Sequence, residues 1–96
     1  MSEVESVFRV MGEPDAAVRE VKGRLAVEIL RRVKARGLTQ QEAADTMGIP
    51  RSEVSRIMNG RFSRFTIDRL VTALVALDPS VRVDLAIAPA VATLGA

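Results

Sequence analysis

The chain contains no histidine and no cysteine. The commonest general base and the commonest transition-metal ligand are therefore absent, and so are thiolate metal sites and disulfides. No phosphate-cradling loop and no paired-carboxylate motif stands out. An enzyme is disfavoured on these grounds, and no cofactor or metal is expected. What remains is charge and hydrogen bonding. The 14 basic and 12 acidic groups give a net charge of +2, unevenly spread. Residues 1–20 carry a net −3, residues 21–64 a net +6 and residues 65–96 a net −1. A basic zone of this kind is either a phosphate-binding footprint or an ordinary solvated helix face. The only aromatic residues are Phe8, Phe62 and Phe65. There is no aromatic platform for unpaired bases, which disfavours RNA binding.

The elements that must carry this charge are legible. The stretch 40–59, QQEAADTMGIPRSEVSRIMN, reads as a helix, a tight turn and a second helix. Ala44 sits where the two helices cross, and only a small side chain lets the backbones approach there. Gly48 sits in the turn, where a positive φ is cheap only for glycine. Ala43, Met47, Ile49, Val54 and Ile57 close the unit. This is the pattern of a helix-turn-helix, whose usual task is to lay its second helix in the major groove of DNA.

The flanks fit one small domain. With 48% hydrophobic and 27% charged residues the chain matches a folded protein, not a disordered one. Pro14 opens a long first helix with Asp15 in its first turn. Val18, Val21, Leu25, Ile29 and Val33 form one apolar stripe, widened by Ala26 and Leu30. Glu20–Arg24 and Glu28–Arg32 are favourable pairs on the wet side, and Gly37 ends the helix. Thr39-Gln40-Gln41-Glu42 is a capping box for the next helix. Pro50 opens the third, with Glu53 in its first turn, and Asn59-Gly60 ends it. After a loop at 61–65, Thr66 caps a fourth helix that presents Ile67, Leu70, Val71, Leu74, Val75 and Leu77. Pro79 stops it at Asp78.

The period then changes. Val81, Val83, Leu85 and Ile87 alternate with Arg82, Asp84, Ala86 and Ala88, the pattern of a half-buried strand. A lone strand needs a partner, and a second copy of the chain would supply one antiparallel to it across a two-fold axis. With the axis near Val83, Arg82 of one chain faces Asp84 of the other, worth roughly 0.2–1 kcal/mol. The alternative is that the segment packs alone as an extended tail. The boundaries expected are an N-terminal arm at 1–12, a helix-turn-helix domain at 13–78, a dimerisation strand at 79–89 and a tail at 90–96. No apolar run approaches a membrane span. The start MSEVESVFRV lacks the basic region of a secretory signal, so a cytoplasmic, nucleoid-associated protein is expected.

The run LTQQEAADTMGIPRSEVSRIMNG, residues 38–60, resembles the Xre/Cro repressor class of bacterial and phage regulators. The wider frame, with the long helix after GEPDA, the segment NGRFSRFTIDRL and the closing VRVDLAI, is similar to antitoxins of the host-inhibition-of-growth type. The resemblance implies a mainly α fold: a lambda-repressor-like helix-turn-helix bundle of about four helices with one C-terminal β-strand, paired across a dimer through Val81, Arg82, Val83, Asp84, Leu85 and Ile87. It also implies that the second helix of the motif presents Arg51, Ser52, Ser55 and Arg56 to base edges. Arg51 and Arg56 are the strongest candidates, because a guanidinium can donate two parallel bonds to guanine O6 and N7; for each, the alternative is a phosphate contact or a surface salt bridge. Gln40 is expected to bond a phosphate at the N-terminus of the first motif helix, where free N–H groups and the helix dipole attract an anion. Asn59, Arg61 and Arg64 are expected to grip phosphates on the other side, though Arg64 could instead stack on its own protein. Glu53 either accepts from a cytosine or, in preference, stabilises the helix start.

The function expected is that of a sequence-specific double-stranded DNA-binding regulator, a homodimeric repressor reading an inverted repeat. The alternative is an antitoxin that binds a small toxin, with the acidic residues 1–20 as the candidate surface, and represses its own operon.

Overall fold

The computed structural model describes residues 16–87. The arm at 1–12, the helix start read at Pro14 and Asp15, the stop read at Pro89 and the tail at 90–96 lie outside the described residues. Those residues form four helices: α1 (Ala16–Ala35), α2 (Gln40–Met47), α3 (Arg51–Met58) and α4 (Ile67–Leu77). All are ended by the local chemistry of their caps.

At the close of α1, Gly37 takes φ +63°. The Leu38 N–H donates to the Val33 carbonyl and the Gly37 N–H to that of Lys34, each at 3.0 Å, the paired bonds of a Schellman cap. Thr39 then starts α2 with a complete capping box: its hydroxyl accepts from the Glu42 N–H, and Glu42 accepts from the Thr39 N–H. Those hydrogen bonds from Thr39 hold the Glu42 carboxyl below the ordinary Glu value. Gly48 ends α2 at φ +70°. Pro50, at φ −60° and ψ 147°, is the extended residue just before α3 and caps it with no side chain. A second Schellman cap closes α3, with Gly60 at φ +75°, Gly60 N–H on the Ile57 carbonyl and Arg61 N–H on the Arg56 carbonyl. The Thr66 hydroxyl accepts from the Arg69 N–H at the start of α4.

The core is aliphatic apart from Phe65. Leu25, Ala26, Ile29 and Val33 of α1 meet Ala43, Ala44 and Met47 of α2, Val54 and Ile57 of α3, and Leu70, Ala73, Leu74 and Leu77 of α4. Burying each large aliphatic side chain contributes roughly 1.5–3 kcal/mol. No polar or charged residue is buried among the described residues.

The stripe read along α1 is buried only from Leu25 onward; Val21 packs at its edge and Val18 is 40% exposed. Near its beginning α1 meets residues 62–63: Lys22 Nζ donates to the Ser63 carbonyl, and a Cβ at Gly23 would stand 3.7 Å from the Phe62 ring. Near its end Arg36 donates to the Leu77 carbonyl at 2.7 Å. The two helices thus run with their C-terminal ends together, and α1, at 20 residues against 11, overhangs α4 at its start.

The strand expected over 81–87 is not present among the described residues. Val81 N–H closes a turn onto the Asp78 carbonyl and its side chain rests on the core, but residues 82–87 are exposed. Strand pairing requires a second strand to take the backbone bonds, and a single chain supplies none here. Arg82 pairs with Asp84 of its own chain, at 3.0 Å.

Candidate nucleic-acid interface

α2 and α3 pack together across the turn at Gly48; Ala44 is buried at 3% exposure and its carbonyl accepts from the Gly48 and Ile49 N–H groups. Val54 and Ile57 fasten α3 to the core. Because a helix turns by about 100° per residue, that anchoring directs the other face outward. Arg51, Ser52 and Arg56 are exposed on it, and Ser55 is half-buried. Asn59, exposed beyond the last turn, donates its amide to the Ser55 carbonyl at 2.7 Å and more weakly to the Ser55 hydroxyl. Gln40, the first residue of α2, is half-buried.

Behind α3 the chain turns through Arg61 and Arg64, both exposed. With Arg56, Ser63 and Phe65 they line a shallow cleft of about 300 Å³. Phe65 is the buried floor of this loop, 6% exposed, and the Lys22–Ser63 bond ties the loop to α1. The structure therefore draws Arg56 together with Arg61 and Arg64, a grouping that spacing along the sequence does not show.

Ion pairing differs across the surface, although Lys22, Lys34 and Arg36 also lack a carboxylate partner among the described residues. Arg24, Arg31, Arg32, Arg69 and Arg82 each lie within ion-pair distance of a carboxylate. Among the described residues Arg51, Arg56, Arg61 and Arg64 have no such partner. Such a set of exposed guanidinium groups, on and just behind one helix, can bind polyanions and donate to base edges.

Glu53 does not join them. Its side chain, 15% exposed, accepts from Arg69 of α4 at 2.5 Å. The Arg69 guanidinium lies 5.7 Å from the centroid of the Phe65 ring. The sequence offered Glu53 a cytosine contact or stabilisation of the helix start; the pairing with Arg69 is a third role that neither reading named. The part played by Arg69 carried no local signal, because the residues are 16 apart.

Among the described residues no group of three or more acidic side chains is arranged to hold a metal ion. No described helix is long and apolar enough to cross a membrane.

A helix-turn-helix that turns one helix outward is the architecture of a DNA-binding regulator. The chain belongs to the helix-turn-helix domain family, whose model matches residues 7–86. No curated protein and no solved structure matches it.

Proposed function

We propose that the chain is a sequence-specific regulator of double-stranded DNA, acting as a homodimeric repressor on an inverted repeat. The observation that carries this reading is the set of four exposed arginines on and behind α3, Arg51, Arg56, Arg61 and Arg64, which have no carboxylate partner among the described residues, whereas Arg24, Arg31, Arg32, Arg69 and Arg82 do. In this reading Arg51, Ser52, Ser55 and Arg56 face base edges. Gln40 bonds a phosphate on one side of the groove, and Asn59, Arg61 and Arg64 bond phosphates on the other. Bound over a promoter, such a dimer would obstruct polymerase.

The dimer contact is the segment Val81, Arg82, Val83, Asp84, Leu85 and Ile87. Val83, Leu85 and Ile87 are 47%, 74% and 85% exposed, alternating apolar side chains with nothing over them among the described residues. Pairing two copies would cover them and satisfy the backbone. A second role as an antitoxin is favoured by the resemblance of the wider frame and by charge: residues 1–20 carry a net −3, suited to a basic toxin. Co-purification with a small basic partner tests that role.

Selection of bound duplexes from a random pool, read by sequencing, tests the main reading. The expected result is an enriched inverted repeat with half-site centres about one DNA turn apart, roughly 34 Å. A pool that stays random after repeated rounds would refute sequence-specific binding.

A further inference from the structure

Glu53 is the one acidic residue of α3, set between Arg51 and Arg56. Residues three apart on a helix are surface neighbours, so the local partner for its carboxylate is Arg56. The structure shows another pairing. Arg69, from α4, takes the carboxylate at 2.5 Å, and Arg56 is left without an ion pair among the described residues. Arg69 is itself steadied by lying against the Phe65 ring, and Phe65 is part of the core. Arg69 and Glu53 thus join α4 to the first turn of α3, beside the loop that carries Arg61 and Arg64.

We propose that Arg69 is a positioning residue for DNA binding. It acts through Glu53: by holding that carboxylate, it keeps Glu53 from closing on Arg56 and neutralises the one negative charge that α3 would otherwise bring to the phosphates. Arg56 then stays free for the nucleic acid. The pair is half-exposed on the Arg69 side and 15% exposed on the Glu53 side, so losing Arg69 leaves a largely covered carboxylate in search of another cation. The effect of the pair falls on which guanidinium groups are available. This inference rests on the DNA-binding reading above.

The test compares Arg69→Gln, the double variant Glu53→Gln/Arg69→Gln, and Arg69→Gln/Asp45→Asn. The last has the same net charge as the double variant but keeps Glu53. Binding is measured by fluorescence anisotropy on a duplex selected by the unmodified chain. Arg69→Gln is expected to bind about three- to tenfold more weakly, since Glu53 now competes for Arg56 and repels the backbone. Removing Glu53 as well should restore affinity to within about twofold, and the Asp45 variant should stay weak. In the free protein, the Arg56 Nε–Hε resonance should shift in Arg69→Gln and return in the Glu53→Gln double variant. The proposal is overturned if Arg69→Gln binds as tightly as the unmodified chain, or if the Asp45 change restores binding equally. It is also overturned if the Glu53 double variant stays weak, which would mean that Arg69 touches DNA itself. Should the unmodified chain select no duplex, the DNA reading falls, and an Arg56 resonance unmoved in Arg69→Gln would separately end the Glu53 hand-over.

Discussion

Arg51 and Arg61 are both exposed arginines without a carboxylate partner among the described residues, yet their places imply different work. Arg51 opens α3, on the turn directed away from the core by Val54 and Ile57. Arg61 follows the Schellman cap, where its own N–H is tied to the Arg56 carbonyl at 2.7 Å and its side chain borders the cleft. In the proposed complex a guanidinium at the first place faces base edges and one at the second follows the backbone. Replacing Arg51 by alanine is therefore expected to cost about 1–3 kcal/mol on the selected site and to relax one base position, with little change on random duplex. Replacing Arg61 should weaken specific and random duplexes alike and reduce the slope of log affinity against log salt by about one. Titrations of both variants across salt separate the two roles, and equal losses on both kinds of DNA for both variants would remove the readout assigned to Arg51.

At the scale of elements, Asp78 joins three parts. It caps α4, accepts from the Ser80 hydroxyl at 2.6 Å, and accepts from Arg32 of α1 at 2.8 Å. Arg32 in turn holds Glu28 at 2.6 Å. The Ser80 bond first, and the Arg32 bond next, hold the Asp78 carboxyl below the ordinary Asp value; Arg32 likewise holds Glu28 below the ordinary Glu value. A carboxyl depressed on folding contributes stability that is fully present above its unfolded pKa and is lost as pH falls through the folded one. Thermal melts from about pH 7 down to about pH 2 should show Asp78→Asn less stable than the unmodified chain at neutral pH. The gap should close as pH drops through and below the ordinary Asp range. A gap that holds unchanged to the acid end would show that the charge on Asp78 contributes nothing.

The parts of these elements that could be read in advance are the local ones. The Thr39 capping box, the glycines at Gly37 and Gly48, the Thr66 cap and the Glu20–Arg24 and Glu28–Arg32 pairs all depend on residues within a turn of each other. The Arg32–Asp78 and Glu53–Arg69 pairs span 46 and 16 residues, and only the packing of α4 against its neighbours brings them together. Phe65 was legible as an aromatic in a loop, not as part of the core, because a loop has no period from which burial can be read. Val18 matched the period of the α1 stripe and yet stays exposed: periodicity gives the face of a helix, not where its partner ends. Around α3, the sequence spacing displays Arg51 and Arg56 as one set, whereas the fold also gathers Arg56 with the arginines of the following loop.

At the scale of the whole molecule, in the homodimer proposed above, the segment after Asp78 would decide how many DNA half-sites are read at once. Its apolar side chains alternate, its exposure rises along Val83, Leu85 and Ile87, and Val81 is held on the core by the turn at Asp78. A segment fixed at its root and bare along its length is suited to pairing with a copy of itself, because antiparallel pairing about a two-fold axis brings identical apolar faces together. The Arg82–Asp84 pair within one chain, 85% and 72% exposed, is held too weakly to oppose an exchange for the same pair between chains. Sedimentation of the full chain is expected to give a dimer, and a chain shortened to end at Asp78 should sediment as a monomer while keeping the helical circular dichroism of α1 to α4. The monomer would still carry one recognition helix, so it should bind a single half-site with the salt dependence of one domain and lose most of its preference for the repeated site. A shortened chain that dimerises as well as the full one would place the contact elsewhere, and the spacing of the repeat would then have to follow from a different surface.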